Sequence, residues 1–271
     1  MTHSHTAIAA LLQEHGLSPS RALGQNFVTD PNTVRKIARL ADVGPDDFVI
    51  EIGPGLGSLT LALVETGATV EAIEVDRYLL PALHSVVDPL GVTVHHADAL
   101  TADYNEILRG REAVVVANLP YNVATPLVLH LLETVPAITR MLVMVQREVG
   151  ERMAATVGDD AYGAVSLRVD YFATAAVVGR VPATVFHPKP KVESALVALR
   201  RRPAVKVSPD VVSENVLFDV IRTAFAHRRK MLRGTLSAWA TPEIFAAANV
   251  APTARPEELT VDDFARLAAL R

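Results

Sequence analysis

Cysteine is absent from this chain of 271 residues, and its absence excludes several kinds of chemistry. There can be no disulfide, no thiolate zinc site and no cysteine nucleophile. Long apolar runs are absent too. Residues 7–12 form an apolar stretch far shorter than a signal peptide or a membrane helix requires, and no later run approaches that length. We therefore expect a soluble, untargeted protein of the cytoplasm that has no membrane partner.

Positive charge is scarce over the whole chain but concentrated in one part of it. The net charge is −4, from 26 Lys and Arg against 30 Asp and Glu. Residues 187–235 contain 11 of these bases and 4 of the acids, a net charge of +7 that leaves −11 for the rest of the chain. Local positive charge suits phosphate binding, because counterion release depends on the charge near the ligand. The alternative is a solvated charge run without a ligand.

Half of the residues are hydrophobic, which is enough to form the core of an α/β domain with a small additional domain. Over the first 150 residues, short apolar runs alternate with helical patterns, which is typical of βαβ units in a buried parallel sheet. The pattern predicts strands at 48–52, 69–74, 92–95, 113–117 and 141–145 and helices at 59–65, 77–86 and 126–135. For the third helix it predicts Thr125 as the N-cap and Pro126 as the first residue.

The later part of the chain predicts an edge to this sheet and then a helical region. A polar helix follows Gln146, and strands at 175–181 and 194–199 suggest an antiparallel edge. Beyond Pro203 the pattern is helical, at 211–225, 229–239, 242–248 and 261–270. We therefore predict domains at 1–203 and 204–271, the second of them small and all-helical. Residues 1–20 are expected to be loosely ordered.

A glycine-rich turn, Glu51-Ile-Gly53-Pro-Gly55-Leu-Gly57, follows the first predicted strand and opens a helix. Its glycines allow a sharp turn and a close approach to a ligand, which predicts a nucleotide-like ligand. Ser58 stands where the dinucleotide fingerprint has its third glycine, and this disfavours a nicotinamide cofactor. The alternative is that the glycines serve only the packing of the turn.

Polar residues at three more strand ends strengthen the prediction of a ligand site. Glu74 ends the second strand, where a carboxylate can accept hydrogen bonds from both ribose hydroxyls. Asp98 follows the third strand and can accept from the amine of an adenine, although it can equally be a loop or cap aspartate. Asn118 follows the fourth strand. Ligands of open parallel sheets bind beyond the carboxyl ends of the strands, so we expect these side chains to share one site with Gly53.

The run Asn118-Leu119-Pro120-Tyr121 suggests how that site could act on an adenine amine. This amine is a poor nucleophile, because its lone pair is delocalised into the ring. The Asn118 side-chain oxygen and the Leu119 carbonyl can hold its hydrogens and turn the lone pair toward a sulfonium methyl. Tyr121 offers a face on which an extruded base can stack. Phe186 is the candidate for a second face, or else an ordinary core residue.

The chain resembles the ribosomal RNA adenine dimethyltransferases, in particular their bacterial small-subunit branch. The matching motifs are LGQNFVTD (23–30), EIGPGLGSLT (51–60), AIEVDRYL (72–79), HADAL (96–100), VANLPYNVATPL (116–127), MVQREVGERM (144–153), VFHPKPKVESALV (185–197) and AFAHRRKMLRGTL (224–236). The resemblance implies a Rossmann-like class I methyltransferase domain, a small C-terminal helical domain, and dimethylation of two adjacent adenosines in RNA of the small ribosomal subunit. It implies S-adenosylmethionine as cofactor and S-adenosylhomocysteine as product. An assembling small subunit is the expected partner of a monomeric enzyme.

Residue roles also follow from the resemblance. The implied cofactor contacts are Asn26, Val28, Gly53, Gly55, Glu74, Asp98 and Asn118. The implied target-base pocket is Asn118, Leu119, Pro120, Tyr121 and Phe186. The implied RNA contacts are Arg228, Arg229, Lys230 and Arg233. The sequence departs from the family before LGQNF, where a basic stretch is common and this chain has only Arg21.

Several alternatives stay open from the sequence. A large-subunit enzyme of the antibiotic-resistance type is the nearest, and Leu119 in place of the isoleucine of a related variant favours the small-subunit branch. A DNA adenine methyltransferase usually has Asp where Asn118 stands. A non-catalytic ribosome assembly factor with this fold is a third possibility. Two pairs of histidines could be read as metal ligands, His3 with His5 and His95 with His96. Neither pair has a third ligand at suitable spacing, so we assign no metal.

Overall fold

The computed structural model describes residues 2–227 and 230–271. Its strands are β1 (Phe27–Val28), β2 (Phe48–Ile52), β3 (Thr69–Glu74), β4 (Thr93–His96), β5 (Ala113–Asn118), β6 (Ile138–Gln146), β7 (Ala173–Val181), β8 (Phe186–His187) and β9 (Ser194–Arg201). Its α-helices are α1 (His5–Glu14), α2 (Pro31–Ala41), α3 (Ser58–Val64), α4 (Leu80–Val87), α5 (Tyr104–Leu108), α6 (Ala124–Thr134), α7 (Arg147–Ala154), α8 (Ala164–Phe172), α9 (Glu214–Phe225), α10 (Leu232–Thr235), α11 (Pro242–Ala247) and α12 (Val261–Ala268). None of these helices is both long and apolar enough to cross a membrane.

A seven-stranded sheet in the order β4-β3-β2-β5-β6-β9-β7 carries the larger part of the core. Strands β4, β3, β2, β5 and β6 are parallel, and β9 runs antiparallel to β6. Apolar residues make up most of β2 and β5, and both strands are buried along almost their whole length. The chain builds β2, β3 and β4 to one side and then returns to place β5 on the other side of β2. Ligands of such sheets bind at this reversal point, between the ends of β2 and β5.

The chain forms two compact units. The first comprises the residues up to Gly150 together with Ala176–Arg200, and the second comprises Glu151–Ala175 and the described part of Arg201–Arg271. This grouping differs from the predicted division at Pro203, because α8 packs within the second unit. There the Tyr171 ring lies edge-on to Phe218 at 5.2 Å, and the Tyr162 hydroxyl donates to the Leu259 carbonyl at 2.9 Å. These contacts join residues far apart in sequence, which a boundary drawn from composition does not detect.

Most predicted strands and helices form within a few residues of their expected ends. The antiparallel pairing of β9 with β6 is also as predicted, although β7 takes the outer position. The predicted start of α6 is wrong. Val123 is its N-cap, Thr125 lies inside the helix, and Pro126 is its third residue. The helix begins earlier because the N–H groups of Val123 and Ala124 both donate to the Pro120 carbonyl. Pro126 is tolerated there, since the first four N–H groups of a helix have no helical partner.

The N-terminal region is more regular than expected. Residues 5–14 form α1, and the Ser4 hydroxyl caps the helix by accepting from the Ala7 N–H. Ile8 and Leu12 are buried in a cluster with Phe27, Leu56, Leu79 and Ala82. The prediction of loose order over 1–20 is therefore wrong for this helix, because an apolar stripe too short to stand out in the sequence packs against the body of the first unit.

Candidate active site

The glycine turn after β2 forms one wall of a cavity in the first unit. Gly53, Gly55 and Gly57 have φ angles of 70°, 59° and 82°, in the left-handed region that favours glycine. A Cβ on Gly55 would also lie only 2.9 Å from the Phe27 ring. Both the backbone conformation and the lack of space therefore require glycine at position 55.

Glu74 ties this turn to the end of β3. Its side chain is almost fully buried, with Oε2 accepting from the Gly55 N–H at 3.1 Å and Oε1 accepting from the Asp76 N–H at 2.9 Å. Burial raises the pKa of Glu74, and the two hydrogen bonds lower it in part. A carboxylate offers about four lone-pair sites, so it can still accept hydrogen bonds from ligand hydroxyls.

Glu51 is a second buried carboxyl group in the same wall. It is 1% exposed, and its Oε2 has no hydrogen-bond partner within the described parts of the chain. Burial raises the pKa of Glu51 to about 8, although the Thr60 hydroxyl lowers it in part. The group is therefore largely protonated at neutral pH, which avoids the cost of an unpaired buried charge. No site role was assigned to Glu51 itself from the sequence.

Asn118 is held in place from the opposite side of the cavity. Its Nδ2 donates to the Asn26 carbonyl at 3.0 Å, and the Asn26 side chain in turn donates to the Gly24 carbonyl at 2.9 Å. Fixing the amide nitrogen in this way also fixes the direction of the Asn118 side-chain oxygen. The next residue is anchored as well, because the Leu119 N–H donates to the Met144 carbonyl at 3.0 Å.

The cavity brings the predicted site residues together in a volume of about 240 Å³. It is lined by the predicted cofactor residues Asn26, Val28, Gly53, Gly55, Glu74, Asp98 and Asn118 and by the predicted base-pocket residues Leu119, Pro120 and Tyr121. Asp98 fits both of its interpretations, because it lines the cavity while its Oδ1 accepts from the Leu100 N–H at 2.9 Å. The strand-end prediction thus describes the observed arrangement.

Phe186, the other predicted residue of the base pocket, does not line the cavity. It pairs with Val28 in the two-stranded sheet of β1 and β8, is 5% exposed, and lies in the main hydrophobic cluster. Its packing is that of a core residue, the alternative considered from the sequence, because its ring offers almost no free face for stacking.

Two of the four predicted RNA contacts lie among the described residues of the second unit. Lys230 and Arg233 are exposed at the start of α10. Arg228 and Arg229 lie outside the described residues. The assignment of these four residues to RNA stays a prediction.

Two hydrogen bonds around the cavity could not be predicted from the sequence. The Gln25 side chain donates to Asp76 at 2.7 Å, which joins the segment before β1 to the loop after β3. The Tyr121 and Ser194 hydroxyl oxygens lie 3.2 Å apart. Gln25 and Ser194 belong to motifs that carried the family resemblance. The residues next to them in the sequence, however, do not indicate which side chain each one contacts.

Comparisons with known proteins show the family of this chain. The family model for ribosomal RNA adenine dimethylases matches residues 17–270. The chain belongs to this family. It is 47% identical to Ribosomal RNA small subunit methyltransferase A of Thermobifida fusca over the full length of both chains. It is 44% identical to the protein of that name in Streptomyces coelicolor, over 93% of this chain and 91% of the relative. The predicted family and enzyme class are therefore confirmed.

Two solved structures show the same fold. One is a dimethyladenosine transferase from Plasmodium falciparum, with a TM-score of 0.73 and 24% identity over 88% of this chain and 94% of that one. The other is the 23S rRNA methyltransferase ErmE, with a TM-score of 0.71 and 24% identity over 90% of this chain and 99% of that one. The predicted Rossmann-like methyltransferase fold is thereby confirmed.

A family of RNA methylases implies S-adenosylmethionine as the methyl donor, and the residues of the cavity fit this molecule. Glu74 keeps acceptor capacity for ribose hydroxyls, and Asp98 offers a carboxylate for an adenine amine. A Cβ on Gly53 would lie 3.8 Å from the Asn118 carbonyl oxygen, an ordinary contact, so it is the φ angle of 70° that favours glycine beside the cavity. The Glu51 Oε2, which has no partner among the described residues, leaves a buried polar atom that a ligand in the cavity can contact.

Proposed function

We propose that this protein transfers methyl groups from S-adenosylmethionine to the N6 amine of two adjacent adenosines near the 3′ end of small-subunit ribosomal RNA. The products are N6,N6-dimethyladenosine and S-adenosylhomocysteine, and the reaction belongs to small-subunit biogenesis. The supporting relatives, 41–47% identical, are named for the small subunit. The observation that carries the proposal is that Asn118, oriented by Asn26, shares one cavity with the glycine turn and Glu74.

Catalysis in this proposal is mainly positioning. Bound in the cavity, S-adenosylmethionine supplies an electrophilic methyl group on a sulfonium. The Asn118 side-chain oxygen and the Leu119 carbonyl accept hydrogen bonds from the target amine, which leaves its lone pair free to point at that methyl group. Both acceptors are held in advance, one through the Asn26 carbonyl and the other through the Leu119 N–H to Met144. No dedicated base is required before the amine attacks.

Tyr121 receives the target base in this mechanism. Extruding a base from an RNA helix or loop costs a few kcal/mol, and one aromatic stack returns about 1 to 3 kcal/mol. Tyr121 lines the cavity while Phe186 is buried, so the tyrosine ring supplies the stacking face. Contacts of the RNA with the protein outside the cavity supply the rest of the binding energy.

The second unit holds the RNA through its basic residues. Lys230 and Arg233 are exposed, and Arg228 and Arg229 extend the same basic run in the sequence. Phosphate contacts of this kind position a nucleic acid without reading its bases. We place this monomeric enzyme in the cytoplasm, where an assembling small subunit is its partner.

The direct test incubates the protein with labelled S-adenosylmethionine and under-methylated small subunits, large subunits or duplex DNA. We expect label on small-subunit RNA and dimethyladenosine after digestion. Transfer to large subunits alone would support the resistance-type alternative, and label on DNA alone would support a DNA enzyme. No transfer to any of the three would overturn the proposal.

An Asn118→Ala variant separates an enzyme from an assembly factor. Loss of the amide oxygen should lower the transfer rate by about 10²-fold or more, because a positioned acceptor at the reacting group is removed. Subunit binding, measured by sedimentation, should stay at the wild-type level. Asn105→Ala, at an exposed asparagine on α5, is the matched control. Unchanged transfer by Asn118→Ala would contradict the proposed amine positioning.

A further inference from the structure

Ser194 is a buried hydroxyl on a rigid part of the first unit. It is 1% exposed and begins β9, opposite Gln146 at the end of β6. The backbone pairing continues one step further, since the Arg147 N–H donates to the Glu193 carbonyl at 3.0 Å. Strand β9 lies between β6 and β7 in the sheet. The sheet therefore fixes the position of the Ser194 hydroxyl.

Tyr121 is anchored much less firmly by its own backbone. It lies in the turn between β5 and α6, beyond the Leu119 N–H that makes the last backbone bond to Met144 on β6. Its side chain is partly buried and lines the cavity. The orientation of its ring therefore depends on what its hydroxyl contacts.

The two hydroxyl oxygens are 3.2 Å apart, and Tyr121 is the partner that the structure gives to the Ser194 side chain. A buried hydroxyl without a hydrogen bond is unfavourable, so the serine favours the one tyrosine orientation that satisfies it. Because the hydroxyl lies at the far end of the ring from the backbone, holding it fixes the direction in which the Tyr121 side chain points and therefore where its ring lies.

We propose that Ser194 is a positioning residue, whose hydroxyl holds the Tyr121 side chain in the direction that places its ring beside the target base. This inference rests on the proposed function. In this proposal Ser194 affects how the target base binds in the cavity, and it does not affect how the cofactor binds. Ser194 touches neither the cofactor nor the base in this proposal and acts only through Tyr121.

A double-mutant cycle tests the inference with Ser194→Ala, Tyr121→Phe and the double variant. For each protein, kcat and KM for under-methylated small subunits are measured, and the affinity for S-adenosylmethionine is measured by calorimetry. Each single variant should lower kcat/KM by about three- to tenfold, the effect of one neutral hydrogen bond. The double variant should lose no more than the single ones, because both substitutions remove the same bond. Cofactor affinity should stay unchanged in all three.

A purely structural role of Ser194 gives a different result. Its loss would then be independent of Tyr121, and the effects of the two substitutions on kcat/KM would multiply. Multiplying effects, a wild-type kcat/KM in Ser194→Ala, or a weakened cofactor affinity would each overturn the inference. Ser166→Ala is the matched control for removal of a buried serine hydroxyl, since Ser166 is also 1% exposed and lies in the second unit.

Folding failure and failure of the proposed function remain distinguishable. If Ser194→Ala does not fold, Tyr121→Phe removes the same hydrogen bond from the more exposed partner, and its expected loss in kcat/KM still decides the matter. If the wild-type protein transfers no methyl group to small subunits, the proposed function and this inference both fall. Transfer by the wild type, combined with independent losses in the cycle, overturns the inference alone.

Discussion

Glu51 has a pKa that makes protein stability depend on pH. The folded state raises this pKa to about 8 from an ordinary value of 4.5, chiefly through burial. The folded protein therefore binds the proton more tightly than the unfolded chain. The stabilisation is fully present below about pH 4.5 and is lost as pH rises toward about 8, a difference on the order of 4 to 5 kcal/mol.

A Glu51→Gln variant should remove this dependence. Glutamine cannot ionise, so the free energy of unfolding of the variant relative to wild type should increase between pH 5 and pH 8.5. Urea unfolding at a series of pH values measures this difference, and Glu112→Gln, at an exposed glutamate, is the control. A constant difference over that range would show that Glu51 does not titrate as described.

Gly55 gives a second prediction at the scale of one residue. Alanine there must adopt a φ near 59° and place its Cβ 2.9 Å from the Phe27 ring. We expect Gly55→Ala to weaken S-adenosylmethionine binding at least tenfold in calorimetry, because the turn must move. Gly91→Ala tests backbone strain alone, since φ there is 74° and nothing lies within 4 Å of the added Cβ. Equal cofactor affinity in both variants would mean that the contact with Phe27 has no effect.

At the scale of one element, α1 stabilises the wall of the cavity. Ile8 is 1% exposed and packs in the cluster that contains Phe27 and Leu56. Ile8→Ala should therefore speed amide hydrogen exchange over residues 5–14 and weaken cofactor binding, because three residues of this cluster, Phe27, Leu56 and Leu79, line the cavity. Gln13→Ala, at an exposed position of the same helix, should leave both unchanged. If exchange over α1 is already fast in the wild type, the helix does not stabilise the cavity.

Sequence periodicity predicts best the bounds of the two strands at the centre of the site, β2 and β5. Strand β2 has the expected bounds, and β5 differs by one residue, because four of the five residues of β2 and the first five residues of β5 are apolar. Strands β1 and β8 have two residues each and were not predicted, since two residues carry no periodicity. Helix α8 was missed for a different reason. Its burial comes from contacts with the distant helices α9 and α12.

For the whole molecule, the uneven charge predicts salt-dependent RNA binding. Replacing Arg228 and Arg229 by Glu should weaken binding to small-subunit RNA. It should also flatten the slope of log affinity against log salt by about 1.4 to 1.8 if both residues contact phosphates. Cofactor affinity, measured by calorimetry, should not change. Arg266→Gln is the control, because Arg266 already forms an ion pair with Asp263. An unchanged slope would place the RNA surface elsewhere.

The site was predicted in part from strand ends and in part from resemblance. Gly53, Glu74 and Asn118 were expected to meet because parallel strands end at one edge, and they line one cavity. Asn26 and Val28 precede the sheet in the chain, so only the family motif assigned them to the site. Phe186 shows the limit of a motif, since its place in the sequence did not reveal that its ring would be buried in the main hydrophobic cluster.

The sequence by itself determined the local features of this protein. Apolar periodicity determined the main strands, and glycine determined the turn that only a residue without a side chain can form. The tertiary structure alone decided which distant groups meet, including the burial of Glu51, the bond between Asn118 and Asn26, and the pairing of Tyr121 with Ser194. The reason is physical: conformational preference acts between neighbours in the chain, whereas burial and hydrogen-bond partnership depend on residues that approach one another only when the whole sheet has formed.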